Sequence, residues 1–386
     1  MDSISARTPS DVTVRFHLQI ELSAEELGLL WRDLEKRADI TFFLSWDWMG
    51  AWIAEIGEVP AVLVGEAGGA LVLLGLLIPR RRREAAGAIR VRGFHLHATG
   101  RAEIDVIAHE YNGFLVDHAW AGRADADAVE WLLGRQFGRR FYDELHVKDI
   151  VADQAQPLIP PRALVRELSR KPSWRVDLDA VRAGGTPYLD TLSANTRQQI
   201  RRAMRLYEQR GALTVTRAPD ADTALFWLDA LARLHQHHWQ ARGEPGGFAY
   251  PFFTLFQRRL VAACVPRGTA EIVRVSAGTE PIGYVYNLML RGHVLAFVTG
   301  FADESDARLK PGLVSHALCI QRHVDEGARL YDFMAGAYRY KASLGQPGPE
   351  LIYLQLQSKT PMTRVEQAAR AVWEQVKRLR GRGDAA

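Results

Sequence analysis

Val294–Val324, VLAFVTGFADESDARLKPGLVSHALCIQRHV, runs from an apolar strand through a charged loop into a helix opening on Pro311-Gly312. Proline suits the first helical position, where its missing N–H would be unpaired anyway, and glycine lets a ligand approach the backbone. The amides of Gly312, Leu313, Val314 and Ser315 are expected to point outward at the positive end of the helix dipole. Such an end binds phosphate or pyrophosphate, with Lys310 or Arg308 adding charge. On the loop alone, an ordinary helix start with no ligand is the preferred explanation of the same residues.

The next segment, YDFMAGAYRYKASLG (Tyr331–Gly345), begins as a buried strand and ends as a charged loop. The strand–loop–helix–strand order sets the strand bearing Asp332 beside the one bearing Phe297. An acid in a buried strand is costly unless it is paired. Lys341 or an arginine would satisfy it; the functional alternative makes it a base or a holder for a substrate amine.

The chain has 386 residues, 47% hydrophobic and 24% charged, with a formal net charge of +4. This is ordinary globular composition for two or three domains, without the dense charge of a dedicated DNA binder. Its two cysteines, Cys264 and Cys319, lie in apolar surroundings and outline neither a disulfide framework nor a metal site. MDSISARTPSDVTVRF carries no apolar run of a secretory leader, so a cytoplasmic protein is expected. AVLVGEAGGALVLLGLLIP (Ala61–Pro79) nearly reaches bilayer length, but the glycines and Glu66 inside it favour two strands joined by a tight turn over a membrane span.

Val14–Val151 reads β, α, α, β, β, β, α, β, a complete α/β unit. Its first helix opens with Ser23 as N-cap and Glu26 three residues on, and a later one is expected over 125–140. A proline- and arginine-rich crossover, 152–184, follows. A second unit over 185–360 repeats the plan, and an amphipathic helix, TRVEQAARAVWEQVKRLRGRG, lies in the tail 361–386.

SANTRQQIRRAMRLYEQRG (Ser193–Gly211), HQHHWQARGEPGGF (His235–Phe248), the Pro311-Gly312 start, YDFMAGAYRYK (Tyr331–Lys341) and, earlier, EYNGFLVD (110–117) together resemble one family. It is the acetyltransferase-like CelD/BcsL group of bacterial cellulose and exopolysaccharide biosynthesis, in the GNAT superfamily, and the resemblance covers 42–357. It implies an α/β fold of two tandem GNAT-like domains similar to the Fem peptidyltransferases, each a mixed, mainly antiparallel sheet flanked by helices. It also implies an acyl-CoA, acetyl-CoA or longer, lying along a splayed strand His293–Thr299 with Phe297, Val298 and Thr299. Its pyrophosphate would then rest on Arg308, Lys310 and the Gly312–Ser315 amides. RLKPGL keeps one of the glycines that the superfamily's phosphate loop carries, which leaves aminoacyl-tRNA, the donor of Fem enzymes, as the alternative.

The expected activity is acyl transfer to an amine, or a hydroxyl, of a small-molecule or glycan-precursor acceptor, without a metal. Such a reaction needs positioning, a base and oxyanion donors. Asp332 is the candidate for base or amine orientation, and Tyr340 for protonating the leaving group. Lys341 binds an anionic group or holds Asp332; a loop anchor explains the Tyr-Lys pair equally well. A catalytically silent module in envelope or polysaccharide assembly is the rival of another class. His235 and His238, one helical turn apart, and His95 and His97, on one strand face, are read as polar faces rather than metal ligands. The arginines of RQQIRRAMR and RRRR (Arg80–Arg83) are read as solvated, the latter at a strand end.

Overall fold

The computed structural model describes residues 12–84, 89–134, 142–161, 163–361 and 363–368. The end of the helix expected over 125–140, and the C-terminal helix beyond 368, lie outside them.

The first half runs β1 (Arg15–Gln19), α1 (Ala24–Glu35), α2 (Trp46–Ile56), β2 (Ala61–Ala67), β3 (Ala70–Glu84) and β4 (Ile89–Leu96). It continues through α3 (Ala102–Asp105), β5 (Leu115–Val116), α4 (Ala124–Leu133), β6 (Glu144–Val151), α5 (Ala152–Ala155) and β7 (Ala163–Lys171). The capping box at α1 forms: the Ser23 hydroxyl accepts from the Glu26 amide while the Glu26 carboxylate accepts from the Ser23 amide. The bilayer-length stretch is a hairpin of β2 and β3, turned at Gly68 and Gly69, whose φ of 59° and 83° a side chain would oppose. Among the described residues no helix is long and apolar enough to cross a membrane.

The second half runs β8 (Ser173–Asp177), α6 (Leu178–Ala183), α7 (Tyr188–Thr191), α8 (Ala194–Glu208), β9 (Leu213–Arg217), α9 (Ala221–Gln240), α10 (Pro251–Cys264), β10 (Ala270–Ala277) and β11 (Glu280–Leu290). Then come β12 (His293–Phe301), α11 (Pro311–Asp325), β13 (Leu330–Ala335), α12 (Arg339–Leu344), β14 (Gln346–Pro347) and β15 (Leu351–Ser358).

Two mixed sheets result, flanked by helices. The first has the order β1-β2-β3-β4-β6-β15-β7 with β5 beside β3, and the second β14-β8-β13-β12-β11-β10-β9. Each is antiparallel except at one junction, β4 with β6 and β12 with β13. Chain order and sheet membership differ at two places. β15, expected in the second unit, inserts between β6 and β7 of the first sheet. It is buried along nearly its whole length, as a strand hydrogen-bonded on both sides and covered on both faces must be. The segment 152–184 is also more than a crossover, since it supplies β7 to the first sheet and β8 to the second.

The largest apolar core lies between the halves. Trp48 of α2 is fully buried and meets Phe43 at 4.6 Å, Phe256 of α10 at 4.8 Å and Phe297 of β12 at 5.6 Å between ring centroids. Polar links run alongside: Arg291 donates to the carbonyl oxygen of Ala38 at 2.8 Å, and Thr269 donates to Asp47 at 2.7 Å.

Candidate active site

The parallel pairing of β12 with β13 lasts for three rungs and stops after Leu295↔Asp332, though β12 continues to Phe301. Both strands contribute to the parting. β12 carries a bulge against β11, where Ala296 and Val298 have partners and Phe297 between them has none. β13 is drawn toward β8, with an irregularity between Asp332 and Ala335 and a left-handed Met334 at φ 63°. A wedge between two strands follows, with the N-terminus of α11 near its open end. The Phe297 ring does not line that wedge; it turns into the core between the halves, against Phe43, Trp48 and Tyr286. Val298 is buried and Thr299 is half-buried.

Asp332 sits where the strands part, 2% exposed. Neither Lys341 nor an arginine satisfies it. Its Oδ1 accepts the Met334 amide at 2.6 Å, and its Oδ2 accepts the Tyr111 hydroxyl at 2.7 Å and lies 3.1 Å from His293 Nε2. Both of its oxygens are thus engaged by neighbouring groups. Burial, reinforced by the Asp332 charge, pushes the Tyr111 phenol far up, so it stays a neutral donor.

A second carboxyl, to which the sequence reading gave no role, completes the cluster. Glu110 is 7% exposed, and its Oε2 accepts the Ala335 amide at 2.8 Å. Burial raises its carboxyl to about 7; the Ala335 amide and Lys341 oppose the rise, while Asp149 and Asp332 add to it. Lys341, 6% exposed, donates to the carbonyl oxygens of Ala335 at 2.7 Å and Met334 at 3.3 Å. Burial lowers its ammonium to about 8 against the opposing pull of Glu110 and Asp332. The signal for Glu110 lay in EYNGFLVD, an acid beside an aromatic donor in a polar loop. Nothing local says that this loop reaches β13.

Tyr340 and Lys341, adjacent on α12, diverge. Lys341 enters the carboxyl cluster, whereas Tyr340 stacks on His316 of α11 with centroids 5.6 Å apart and planes 16° apart. Burial raises the Tyr340 phenol, keeping it protonated. Gly336, at φ 133°, lets the chain turn between β13 and α12.

At the start of α11 the expected donors narrow. Pro311 is at the first position as expected, but the Val314 amide already donates to the Lys310 carbonyl at 3.0 Å, inside the helix. Ser315 is fully buried. Gly312 and Leu313 therefore carry the amides left open by the helical pattern. Gly312 is also needed for packing, since a Cβ there would come within 3.1 Å of the Phe301 ring. Arg308 is held by Asp306 at 2.6 Å, while Lys310 is half-buried at the helix start.

The histidines depart from a polar-face reading in the first half. His95 and His97 are buried, and Arg80 of the four-arginine run approaches His95 Nε2 at 2.9 Å. His235 of α9 packs against Phe248. No group of three or more potential metal ligands occurs among the described residues.

Residues 194–342 match the acetyltransferase (GNAT) domain family, a span reaching from α8 into α12 that includes Asp332, Tyr340 and Lys341. The fold is shared with the crystal structure of FemX, 12% identical over 90% of this chain and 99% of that one, with a TM-score of 0.55. It is also shared with the C-terminal domain of a proposed lysylphosphatidylglycerol synthetase from Agrobacterium fabrum, 11% identical over 91% of this chain and 97% of that one, with a TM-score of 0.52. A tandem GNAT protein from the clavulanic acid biosynthesis pathway aligns at a TM-score of 0.41, 14% identical over 90% and 99% of the two chains. No curated protein matches the sequence.

Proposed function

We propose that the chain moves an acyl group from acyl-CoA, acetyl-CoA or a longer thioester, to the amine or hydroxyl of a small or sugar-linked acceptor. The observation carrying this reading is the parting of β12 and β13 at Leu295↔Asp332, with Glu110 and Lys341 buried beside the point of parting. The thioester occupies the wedge, and its diphosphate lies toward the amides of Gly312 and Leu313, with Lys310 beside them.

Glu110 takes the proton from the attacking amine as the new C–N bond forms, a role suited to a carboxyl raised toward neutrality. Lys341 stabilises the negative charge that builds on the carbonyl oxygen. The C–S bond then breaks, Tyr340 gives its proton to the leaving thiolate, and solvent reprotonates the phenol. Asp332 is a positioning residue that holds Tyr111 and His293. A hydroxyl acceptor uses the same groups, with a C–O bond formed instead.

Transfer from aminoacyl-tRNA is the second reading. It is favoured by the exposed Arg202 and Arg205 on α8, set against an Arg308 already taken by Asp306 at the phosphate loop.

Thermal unfolding of the purified protein with and without acetyl-CoA and a long-chain acyl-CoA tests the donor. A ligand bound only by the folded state, at a hundred times its dissociation constant, adds about 2.7 kcal/mol. A shift with either thioester supports the acyl-CoA reading; no shift with both discards it in favour of charged tRNA.

A further inference from the structure

The parallel junction of the first sheet ends at Leu96↔Val147, where β4 itself ends, and His97 just beyond β4 and Lys148 on β6 line a small pocket with His109 and Asn112. The proposed donor wedge uses none of these side chains.

The hydrogen bonds decide what the pocket offers. Asn112 Nδ2 donates to the Leu96 carbonyl at 2.9 Å, and its Oδ1 accepts the Gly113 amide at 2.8 Å, so the amide orientation is determined. That acceptor oxygen also lies 3.0 Å from His97 Nδ1, which must therefore carry the proton. Nε2 of His97 is left with a lone pair. The residue is 2% exposed, and this atom has no protein partner among the described residues. His109 Nε2, on a ring 5.6 Å from that of His97, is likewise buried without one. Burial takes His97 down to about 3 and His109 well below its ordinary value, so both rings stay neutral near pH 7.

Two imidazoles alone would suit a metal ion, but Lys148 stands at the same pocket. It is half-buried, no ion pair engages it among the described residues, and its charge disfavours protonation of His109. Asp105 also lines the pocket, but its carboxylate oxygens are engaged by the Thr99 amide and hydroxyl and by the Gly100 amide, so the charge left open is that of Lys148 and an anion is favoured over a cation. The space takes about one water-sized group between walls that include Trp52 and Ile107. A hydroxyl fits inside, and the charged part of its carrier remains at the rim.

We propose that this pocket is a second ligand site, taking a small hydroxy acid whose hydroxyl donates to His97 Nε2 while its carboxylate pairs with Lys148. His109 and Asn112 flank Glu110 and Tyr111 in one four-residue segment, so an occupant bears directly on the backbone that carries the candidate base.

The test uses the full chain labelled with 15N at histidine, titrated with glycerate, lactate, acetate and glycerol. Nuclear magnetic resonance should show His97 as the Nδ1–H tautomer, and glycerate or lactate should move its Nε2 signal. Acetate lacks the hydroxyl and glycerol the carboxylate, so each should bind at least about tenfold more weakly. Lys148→Met, a rim substitution that leaves the core packing in place, should weaken hydroxy-acid binding by the same factor. His97→Gln should abolish the response seen at His109. A pocket that holds water alone gives no response to either hydroxy acid, and that result overturns the proposal. Equal binding of acetate, or unchanged binding in Lys148→Met, overturns it too. No readout involves acyl-CoA, so this site and the donor wedge fail separately.

Discussion

Tyr111 donates its hydroxyl to Asp332 at 2.7 Å, joining residues 221 positions apart and one half of the chain to the other. Tyr111 holds this position with a left-handed backbone, φ 52°, which is uncommon for a bulky residue. The wedge in the second sheet is therefore braced by the first. Tyr111→Phe keeps the ring and removes the donor, leaving Asp332 Oδ2 with His293 alone among its side-chain partners. The expected cost is about 1–3 kcal/mol, read from urea unfolding. An unchanged midpoint would show that the hydrogen bond contributes nothing net to the docking of the halves.

Under the proposed mechanism, Glu110 and Lys341 set the pH dependence. The base works when Glu110 is deprotonated, so activity rises as pH passes through about 7. The oxyanion partner works when Lys341 is charged, so activity falls as pH passes through about 8. A narrow bell in kcat/KM is expected, and its two limbs belong to the pair as a unit. Glu110→Gln should lower kcat by about 10²–10⁴ and erase the acidic limb. In stability the sign is opposite on the Glu110 side. Its raised carboxyl favours the folded state fully below the unfolded value of 4.5, and that contribution is lost as pH rises through about 7. A silent binding module would keep its function in Glu110→Gln at every pH.

What was legible in the sequence is what is local. Ser23 with Glu26, the glycine turn between β2 and β3, and Pro311 at the head of α11 each act within a few residues, and each forms as read. Asp332 was legible as a problem, an acid in an apolar run, but its solution was not. Its side-chain partners lie 39 and 221 positions away. The same reason hid Glu110, which touches Ala335 225 positions on, and the insertion of β15 into the first sheet. Strand pairing at that range is not legible locally, because the alternation along a strand fixes which face is buried and not which distant strand lies beside it. The open amides at α11 are two and not four because helical bonding begins at Val314, two residues before His316, where four open amides would have put it.

Tyr340 offers a sharper chemical test than Asp332, because it can lose its hydroxyl without losing its place. Tyr340→Phe keeps the stack on His316, so folding should be unaffected. If the phenol protonates the leaving group, kcat falls about 10²-fold or more. The loss should shrink with a donor whose leaving group needs no proton, such as an activated aryl ester. An equal loss with both donors would assign Tyr340 to holding α12 against α11, the anchor role that the Tyr-Lys pair also fits.

Trp48 tests whether the wedge depends on the first half. It is fully buried against Phe43, Phe256 and Phe297, so one indole touches α10 and the bulged residue of β12. Trp48→Ala removes that support at an expected cost of about 3–5 kcal/mol. Because the core is shared, calorimetry should show one transition moved to lower temperature, not one half melting ahead of the other. The cavity also frees Phe297 to leave the interface and relaxes the bulge that helps part β12 from β13. Acetyl-CoA should then stabilise the variant less than the parent at equal concentration. Two separate transitions, with the thioester acting undiminished on the second, would show that the second sheet holds its wedge without help.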